Sequence, residues 1–366
     1  MQLSDFRFKT SARNSVKTLV SAPVLSCLCW CLWLTPVVGQ TAAEPAPSVR
    51  SLMDTMNKAH SAVVGVKVKA VDGARSAETL GARRSGSGVV IGPDGLTLTI
   101  GYLMLEAQQI EIITQDSKIV PAVAVAYDIA TGFGLIRPLL PLPGVTPVVL
   151  GKAQDLRSGE PLMASTGATA TGQQSDVSIT QLVSKRSFSG TWEYHIDTAL
   201  FTSPPVTAGN GNHSGAPLFN QKGELVGIGS LLVMDATGEN RRMPGNMFVP
   251  VDLLTPILAE LQRSGSSSLS NRPWLGLTSS EQDGQIQIMR VSADSPADDA
   301  GLEPGFVVLA VDGVEVTTLE SFYKKLWARA TPSEPVRLTV RRDQEVMTIE
   351  LQPRSRMLTL KKPAGI

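Results

Sequence analysis

The sequence is poor in several residue types on which protein chemistry often depends. Its 366 residues include three cysteines, three histidines and only 5% aromatic side chains. The cysteines are Cys27, Cys29 and Cys31, so all of them fall in one short stretch near the start. If that stretch is removed on export, the mature chain has no thiol. This excludes a disulfide framework, thiol catalysis and a cysteine-ligated metal.

Neither sign of charge is in excess, because 33 basic residues face 33 acidic ones. The lack of a basic surplus argues against nucleic acid as the main partner. The sequence also has no glycine-rich phosphate loop with a lysine, no metal-ligand histidine spacing and no paired-carboxylate signature. We therefore predict neither a cofactor nor a metal site.

Residues 1–43 have the pattern of an export signal. A basic start is followed by an apolar run at 19–39 and then by small residues at 41–43. We expect cleavage near Ala43, which would place the mature chain in the periplasm or outside the cell. The apolar run is also about long enough to remain as an inner-membrane anchor. That retained form is the one in which we expect membrane contact.

Short β-rich runs dominate the next two hundred residues or so and indicate a sandwich or barrel, because helices hardly interrupt them. A weak helical period at 49–60 precedes them. A helix is predicted at 253–261, with Asp252 as its N-terminal cap. The predicted strands are 62–68, 88–91, 110–113, 122–127, 145–150, 161–165, 177–183 and 225–233.

A serine- and glycine-rich segment at 263–271 is predicted to be a flexible linker and marks the clearest domain boundary. The unit beyond it has a strand at 307–311, an Asp312-Gly313 hairpin turn, a helix at 319–330 and two closing strands at 336–341 and 346–351. The basic tail is expected to be loose. The predicted boundaries are 44–60 for a leader and short helix, 61–262 and 272–353 for the two domains, and 354–366 for the tail.

One turn carries the features of a nucleophile held against backbone amides. Residues 210–219 have the sequence NGNHSGAPLF, in which glycine and asparagine allow the amides of Asn212 and Ser214 to point at one spot as an oxyanion hole. This stretch resembles the serine loop of HtrA-type proteases, which have the trypsin fold. It differs from the family pattern at His213, in an Asn position, and at Ala216, in a Gly position.

The resemblance extends to residues 85–99, SGSGVVIGPDGLTLT, which precede the catalytic histidine in that family. Aligned on this stretch, the histidine position holds Tyr102. The family's acidic position falls in 131–136, TGFGLI, and holds Gly132. A serine nucleophile needs a base that a third group orients. Ser214 is therefore a candidate nucleophile with two replaced partners, unless His195 or His213 supplies the base.

The second domain resembles a PDZ domain of the HtrA-associated kind. The matching segments are WLGL at 274–277, SPA at 295–297, AGL at 300–302, PG at 304–305 and VDG at 311–313. Such domains bind a peptide by strand addition and hold its terminal carboxylate on backbone amides. The resemblance assigns Leu275, Gly276 and Leu277 to the carboxylate-binding loop. Phe322 and Leu326, one helical turn apart, either line the groove or belong to the core.

Together these features predict a mainly β chain, a trypsin-like double β-barrel followed by an α+β PDZ domain. The leading hypothesis is an exported HtrA-like protein without protease activity that binds peptide C-termini or unfolded segments, in protein quality control or regulation. One alternative is an active serine endopeptidase that uses Ser214 with an unrecognised base. Another is a membrane-tethered scaffold that regulates an active relative. The resemblance alone implies a homotrimer.

Overall fold

A computed structural model describes residues 49–361 of the chain, except 170, 173, 207–212 and 330. The predicted export signal and residues 44–48 of the leader therefore lie outside the described residues. The first element is helix α1 (Val49–Ser61), at the position where a helical period was predicted. Within the described part of the chain, no helix combines the length and the apolar character needed to cross a bilayer.

Six antiparallel strands form a first closed barrel, in the order β1-β2-β3-β6-β5-β4. Buried and exposed side chains alternate over parts of several strands, and the buried ones form the core of the barrel. In β1 the side chains of Val66 and Val68 are buried, whereas those of Lys67 and Lys69 are exposed. The strands are β1 (Val63–Ala70), β2 (Arg83–Val90), β3 (Thr97–Ile100), β4 (Ala107–Ile113), β5 (Ile119–Tyr127) and β6 (Phe133–Pro138), with a four-residue helix α2 (Ala77–Leu80) between β1 and β2.

A second closed barrel follows, in the order β10-β11-β12-β9-β8-β7. Apolar residues of both barrels, among them Val63 and Ile228, belong to one continuous core cluster. The double β-barrel predicted from the sequence is therefore confirmed. The strands are β7 (Pro161–Thr166), β8 (Asp176–Gly190), β9 (Tyr194–Ser203), β10 (Pro217–Phe219), β11 (Leu225–Val233) and β12 (Gly245–Pro250).

Two secondary-structure predictions in this half are wrong. Residues 145–150 form no strand and make a single bridge, between Leu150 and Leu225, because Pro147 cannot donate to a ladder. The helix predicted at 253–261 is only α3 (Leu258–Ser264), since Pro256 disfavours helical backbone just before it. Asp252 accepts from the amides of residues 153 and 154, and so caps a different turn.

The PDZ part has a sheet in the order β14-β15-β16-β18-β19, with β17 paired to β16, so that β14 lies at an edge. Helix α5 is capped by reciprocal hydrogen bonds between Thr318 and Ser321, and it ends at Trp327, earlier than predicted. The elements are β13 (Pro273–Trp274), β14 (Leu277–Gln282), β15 (Gln285–Val291), α4 (Pro296–Asp299), β16 (Val307–Val311), β17 (Val314–Glu315), α5 (Leu319–Trp327), β18 (Val336–Arg342), β19 (Glu345–Leu351) and β20 (Arg354–Ser355).

The segment predicted to be a flexible linker is held in place. The buried carboxylate of Asp128 accepts hydrogen bonds from the hydroxyls of Ser267 and Ser270, both at 2.5 Å. The serines that suggested flexibility are thus the donors that fix the segment. The tail is also attached as far as the described residues extend, because β20 pairs with β13 and the amide of Lys361 donates to Glu106 at 2.8 Å.

Candidate functional site

The turn at residues 213–216, which we call the serine turn, carries Ser214 and is fixed at the junction of the two barrels. The amide of Ser87 donates to the carbonyl of Ser214 at 2.8 Å, and the amide of Gly215 donates to the carbonyl of Gly229 at 2.8 Å. Gly215 has φ +78°, and a Cβ there would lie 2.1 Å from the Ser87 carbonyl oxygen. Only glycine fits this position, so the backbone of the turn is set by its sequence.

Tyr102 lies opposite Ser214, on a 3₁₀ turn (Gly101–Met104) directly after β3. Its Oη is 2.6 Å from Ser214 Oγ and 2.7 Å from the carbonyl oxygen of Ser230. A carbonyl can only accept, so the single phenol proton satisfies Ser230. The proton of the Ser214–Tyr102 pair then comes from the serine hydroxyl. Ser214 is thereby oriented towards a phenol, at the position predicted to have lost its histidine.

Burial raises the pKa of Tyr102 to about 12, and the hydrogen bond with Ser214 only partly opposes this. The phenol is therefore neutral across the physiological range. The oxygen of a neutral phenol is far too weak a base to take the proton of a serine hydroxyl.

Gly132 lies close to Tyr102 in the first barrel, and its carbonyl accepts from the amide of Gly101 at 2.7 Å. Its φ is +84°, a conformation that side chains other than glycine rarely adopt. The space beside it contains Tyr194, whose Oη would lie 3.3 Å from a Cβ at 132 and donates to the Thr131 carbonyl at 2.7 Å. A tyrosine thus lines the side on which a carboxylate would project.

The imidazoles of His60 and His195 have partners other than Ser214. His60 Nδ1 is 2.6 Å from Ser165 Oγ, and burial lowers the pKa of His60 despite the nearby Asp176. His195 Nδ1 is 2.9 Å from Ser189 Oγ, and its Nε2 is 3.3 Å from Asp197. The carbonyl of His213 accepts from the amide of residue 216, which closes the serine turn. Asn212, predicted to contribute to the oxyanion hole, lies outside the described residues.

The predicted carboxylate-binding loop holds a carboxylate that comes from the chain itself. The amides of Leu275, Gly276 and Leu277 donate to the carboxylate of Glu193 at 3.0, 2.7 and 2.7 Å. Glu193 belongs to the turn between β8 and β9, and its side chain is buried. Burial raises the pKa of this carboxyl, and the three amides act against that shift. No motif pointed to Glu193, since the sequence places it only at a strand end.

The same turn contacts an edge strand and a helix of the PDZ part. The amide of Ser279, on β14, donates to the Thr191 carbonyl at 2.8 Å. Tyr323 Oη, on α5, donates to the Gly190 carbonyl at 2.8 Å and accepts from the amide of Glu193 at 3.3 Å. Phe322 and Leu326, for which groove and core were both open, are fully buried members of the core cluster of this part. Tyr323 is the helix residue that reaches the turn.

A further group of polar side chains lies where α5 meets the second barrel. His195, Asp197 and Glu320 offer ligand atoms within 4.8 Å of one another, an arrangement that sequence spacing did not suggest. The ammonium of Lys324 pairs with Asp197 at 2.7 Å and with Glu320 at 2.8 Å, so both carboxylates have a cation already. We assign this group to contact between the two parts of the chain.

Comparison with known families agrees with this architecture. The trypsin-like peptidase domain family matches residues 86–228, and the PDZ domain family matches residues 273–352. The chain is therefore a trypsin-like peptidase domain followed by a PDZ domain. The relatives and solved structures that it matches are named DegP-like, DegS and HtrA-type proteases, and these matches support an HtrA-like protein.

The relatives are distant in sequence. The chain is 26% identical to a probable periplasmic serine endoprotease, DegP-like, of Hahella chejuensis, over 74% of this chain and 57% of the relative. It is 24% identical to the serine endoprotease DegS of Haemophilus influenzae, over 87% of this chain and 92% of the relative. The chain spans about half the length of the DegP-like relatives.

Solved structures support the fold alone at the identities found. The structure described as "HtrA-type protease AlgW with decapeptide" is 19% identical, covers 86% of this chain and 99% of its own, and has a TM-score of 0.51. A serine endoprotease from Yersinia pestis is 22% identical, covers 84% and 98%, and has a TM-score of 0.50.

Proposed function

We propose that this chain is an exported HtrA-like protein that binds polypeptide C-termini or unfolded segments through its PDZ domain and does not cleave peptide bonds. The observation that carries the proposal is the pair formed by Ser214 Oγ and Tyr102 Oη at 2.6 Å. A phenol whose pKa is about 12 stands where the family places its base. A role in protein quality control or in regulation follows from binding without cleavage.

The chemical argument concerns the proton of the Ser214 hydroxyl. Acyl transfer begins when a base removes that proton, and a second group stabilises the charge that the base acquires. Tyr102 is protonated at neutral pH, and Gly132 has no side chain to offer. In serine proteases, loss of a triad member lowers kcat by roughly 10⁴–10⁶-fold. We expect any residual turnover here to lie at that level.

Peptide binding is supported by the loop at 275–277, where three successive amides converge on one carboxylate. Charge-assisted bonds of this kind are the means by which such a loop holds a terminal carboxylate. One structural neighbour was solved with a decapeptide. The periplasmic location given for DegP-like relatives supports export of this chain. Assembly into homotrimers belongs to the same proposal and rests on the family resemblance alone.

A fluorophosphonate probe tests the proposed loss of catalysis. The purified chain and its Ser214→Ala variant should show the same background labelling, while trypsin in a parallel reaction is labelled fully. Neither form should degrade an unfolded protein substrate. Labelling of the wild type that disappears in Ser214→Ala would overturn the proposal.

The second candidate is an active serine endopeptidase. The intact serine turn favours it, because Gly215 still gives the backbone the conformation that presents a nucleophile. Its base would be His195 or His213. Under this alternative the probe labels Ser214, and His195→Ala or His213→Ala abolishes the labelling.

A further inference from the structure

The turn at residues 190–193 contacts the PDZ part in the two ways in which a peptide would. The carboxylate of Glu193 accepts from the three amides of the carboxylate-binding loop. Two positions beyond Leu277, on edge strand β14, the amide of Ser279 donates to the Thr191 carbonyl at 2.8 Å. We call residues 190–193 the internal turn.

The spacing of these donors agrees with strand addition. Leu277 and Ser279, two residues apart on β14, both present their N–H groups to the internal turn, across a bulge that shifts the β14–β15 register between Thr278 and Ser279. Leu277 donates to the carboxylate and Ser279 donates to the backbone of the same turn. A peptide with a terminal carboxylate in the loop and a backbone paired to β14 would need these same two donors.

The backbone of the internal turn is arranged to aim its carboxylate. Glu193 has φ +57°, a left-handed conformation that is uncommon for residues other than glycine. Tyr323 holds this conformation from the PDZ side, since its Oη accepts from the Glu193 amide at 3.3 Å while donating to the Gly190 carbonyl at 2.8 Å. A guanidinium nitrogen of Arg356 donates to the carbonyl of Trp192 at 3.3 Å.

We propose that the internal turn is a built-in ligand of the PDZ domain, with Glu193 in the place of a terminal carboxylate and Thr191 in the place of a strand partner. This inference rests on the proposed peptide-binding function. An external peptide must displace the internal turn before it can use the loop and the strand edge. The apparent affinity of the wild type for peptides is then its intrinsic affinity multiplied by the fraction of time for which the turn is displaced.

The test uses the full chain and two substitutions at one position. Glu193→Gln keeps the length of the side chain but turns one acceptor oxygen into an NH₂ group that faces amide donors. Glu193→Gly deletes the side chain and relieves the left-handed backbone. Glu320→Gln is the matched control, because Glu320 also joins the two parts, through Ser187 at 2.8 Å, without touching the loop.

Two measurements are made on each form. Amide hydrogen exchange reports whether residues 275–277 and 279 are protected. Fluorescence anisotropy reports the binding of a labelled pool of randomised decapeptides with free C-terminal carboxylates, with the amidated pool as reference. We expect faster exchange and roughly tenfold tighter binding of the carboxylate pool in both Glu193 variants. We expect neither change in Glu320→Gln.

The outcomes separate this inference from the proposed function. Unchanged exchange in both Glu193 variants would overturn the internal turn as a ligand. Equal binding of the carboxylate pool by the wild type and the variants would overturn it too, and would leave the peptide-binding function standing. Faster exchange without binding of either pool would support occupation of the loop by Glu193 and would count against the peptide-binding function.

Discussion

The serine turn and the carboxylate-binding loop are built alike and differ in what makes them work. Each depends on a left-handed glycine, Gly215 with φ +78° and Gly276 with φ +89°. The chemistry of the serine turn further requires side chains at two distant positions, where this chain has Tyr102 and Gly132. The loop requires only that three backbone amides converge. A site made of backbone therefore depends less on distant side chains than a site made of side chains does.

The largest effects are expected when the two glycines are replaced, because both sites depend on them. A Cβ at 215 would lie 2.1 Å from the Ser87 carbonyl oxygen, and one at 276 would lie 2.2 Å from Ser295 Cβ. Gly215→Ala and Gly276→Ala should each lower the free energy of unfolding by about 2–5 kcal/mol, since strain adds to overpacking. Denaturation in urea measures this.

The control for these substitutions is Gly313→Ala. Gly313 is also left-handed, with φ +78°, but no other atom lies within 4 Å of its Cβ position. Gly313→Ala therefore measures only the cost of placing alanine in a left-handed backbone, about 1–2 kcal/mol in the free energy of unfolding. Equal losses at all three positions would show that close packing contributes nothing to either turn.

Alkaline pH should lower the free energy of unfolding, because the folded protein disfavours the ionised form of Tyr102. The pKa of Tyr102 is raised to about 12 by burial. The native state therefore keeps a proton that the unfolded chain releases from about pH 10 upward. The stabilisation is fully present below pH 10 and is lost as the pH rises through 12, by on the order of 2–3 kcal/mol. Urea denaturation of the wild type and Tyr102→Phe at increasing pH isolates this residue from the other tyrosines. Parallel pH curves would contradict the prediction.

At neutral pH, Tyr102→Phe tests whether the phenol only occupies the position of a base. The substitution removes the partner of Ser214 Oγ and the donor to the Ser230 carbonyl. We expect a loss of about 1–2 kcal/mol in the free energy of unfolding and no gain of fluorophosphonate labelling. Labelling that falls from a measurable wild-type level would show that Tyr102 acts in catalysis.

The parts of this protein that the sequence predicts are those that local pattern determines. Short β-rich runs indicated most of the strands, and alignment of residues 85–99 with the HtrA-type pattern placed Tyr102 at the position of the family's histidine. The resemblance of residues 274–277 to a PDZ motif assigned the amides of the loop. In each case a short segment carries the information, because backbone conformation follows from nearby residues.

The parts that sequence could not supply depend on which distant segments meet. Glu193 and Leu275 are 82 positions apart, and nothing in the pattern around Glu193 distinguishes it from other carboxylates at strand ends. Serines at 267 and 270 indicated flexibility by composition, whereas Asp128 makes them donors in a buried network. Composition describes what a segment can do in water and does not show which partner folding brings to it.

The smallest effect is expected at Lys324. Its substitution separates the contribution of surface charge from that of the buried Glu193 carboxylate at the loop. Lys324 pairs with Asp197 at 2.7 Å on the surface, where both side chains are largely exposed. Exposed pairs are screened by solvent and salt, so their loss is seldom measurable. Lys324→Met, which keeps the apolar stem, should leave the unfolding midpoint and the amide exchange of residues 275–277 unchanged, whereas Glu193→Gln should alter that exchange. If the lysine variant also exposed the loop, the closed arrangement would depend on surface charge as much as on the buried carboxylate. In that case the amide exchange of residues 275–277 in the wild type would also rise with salt concentration.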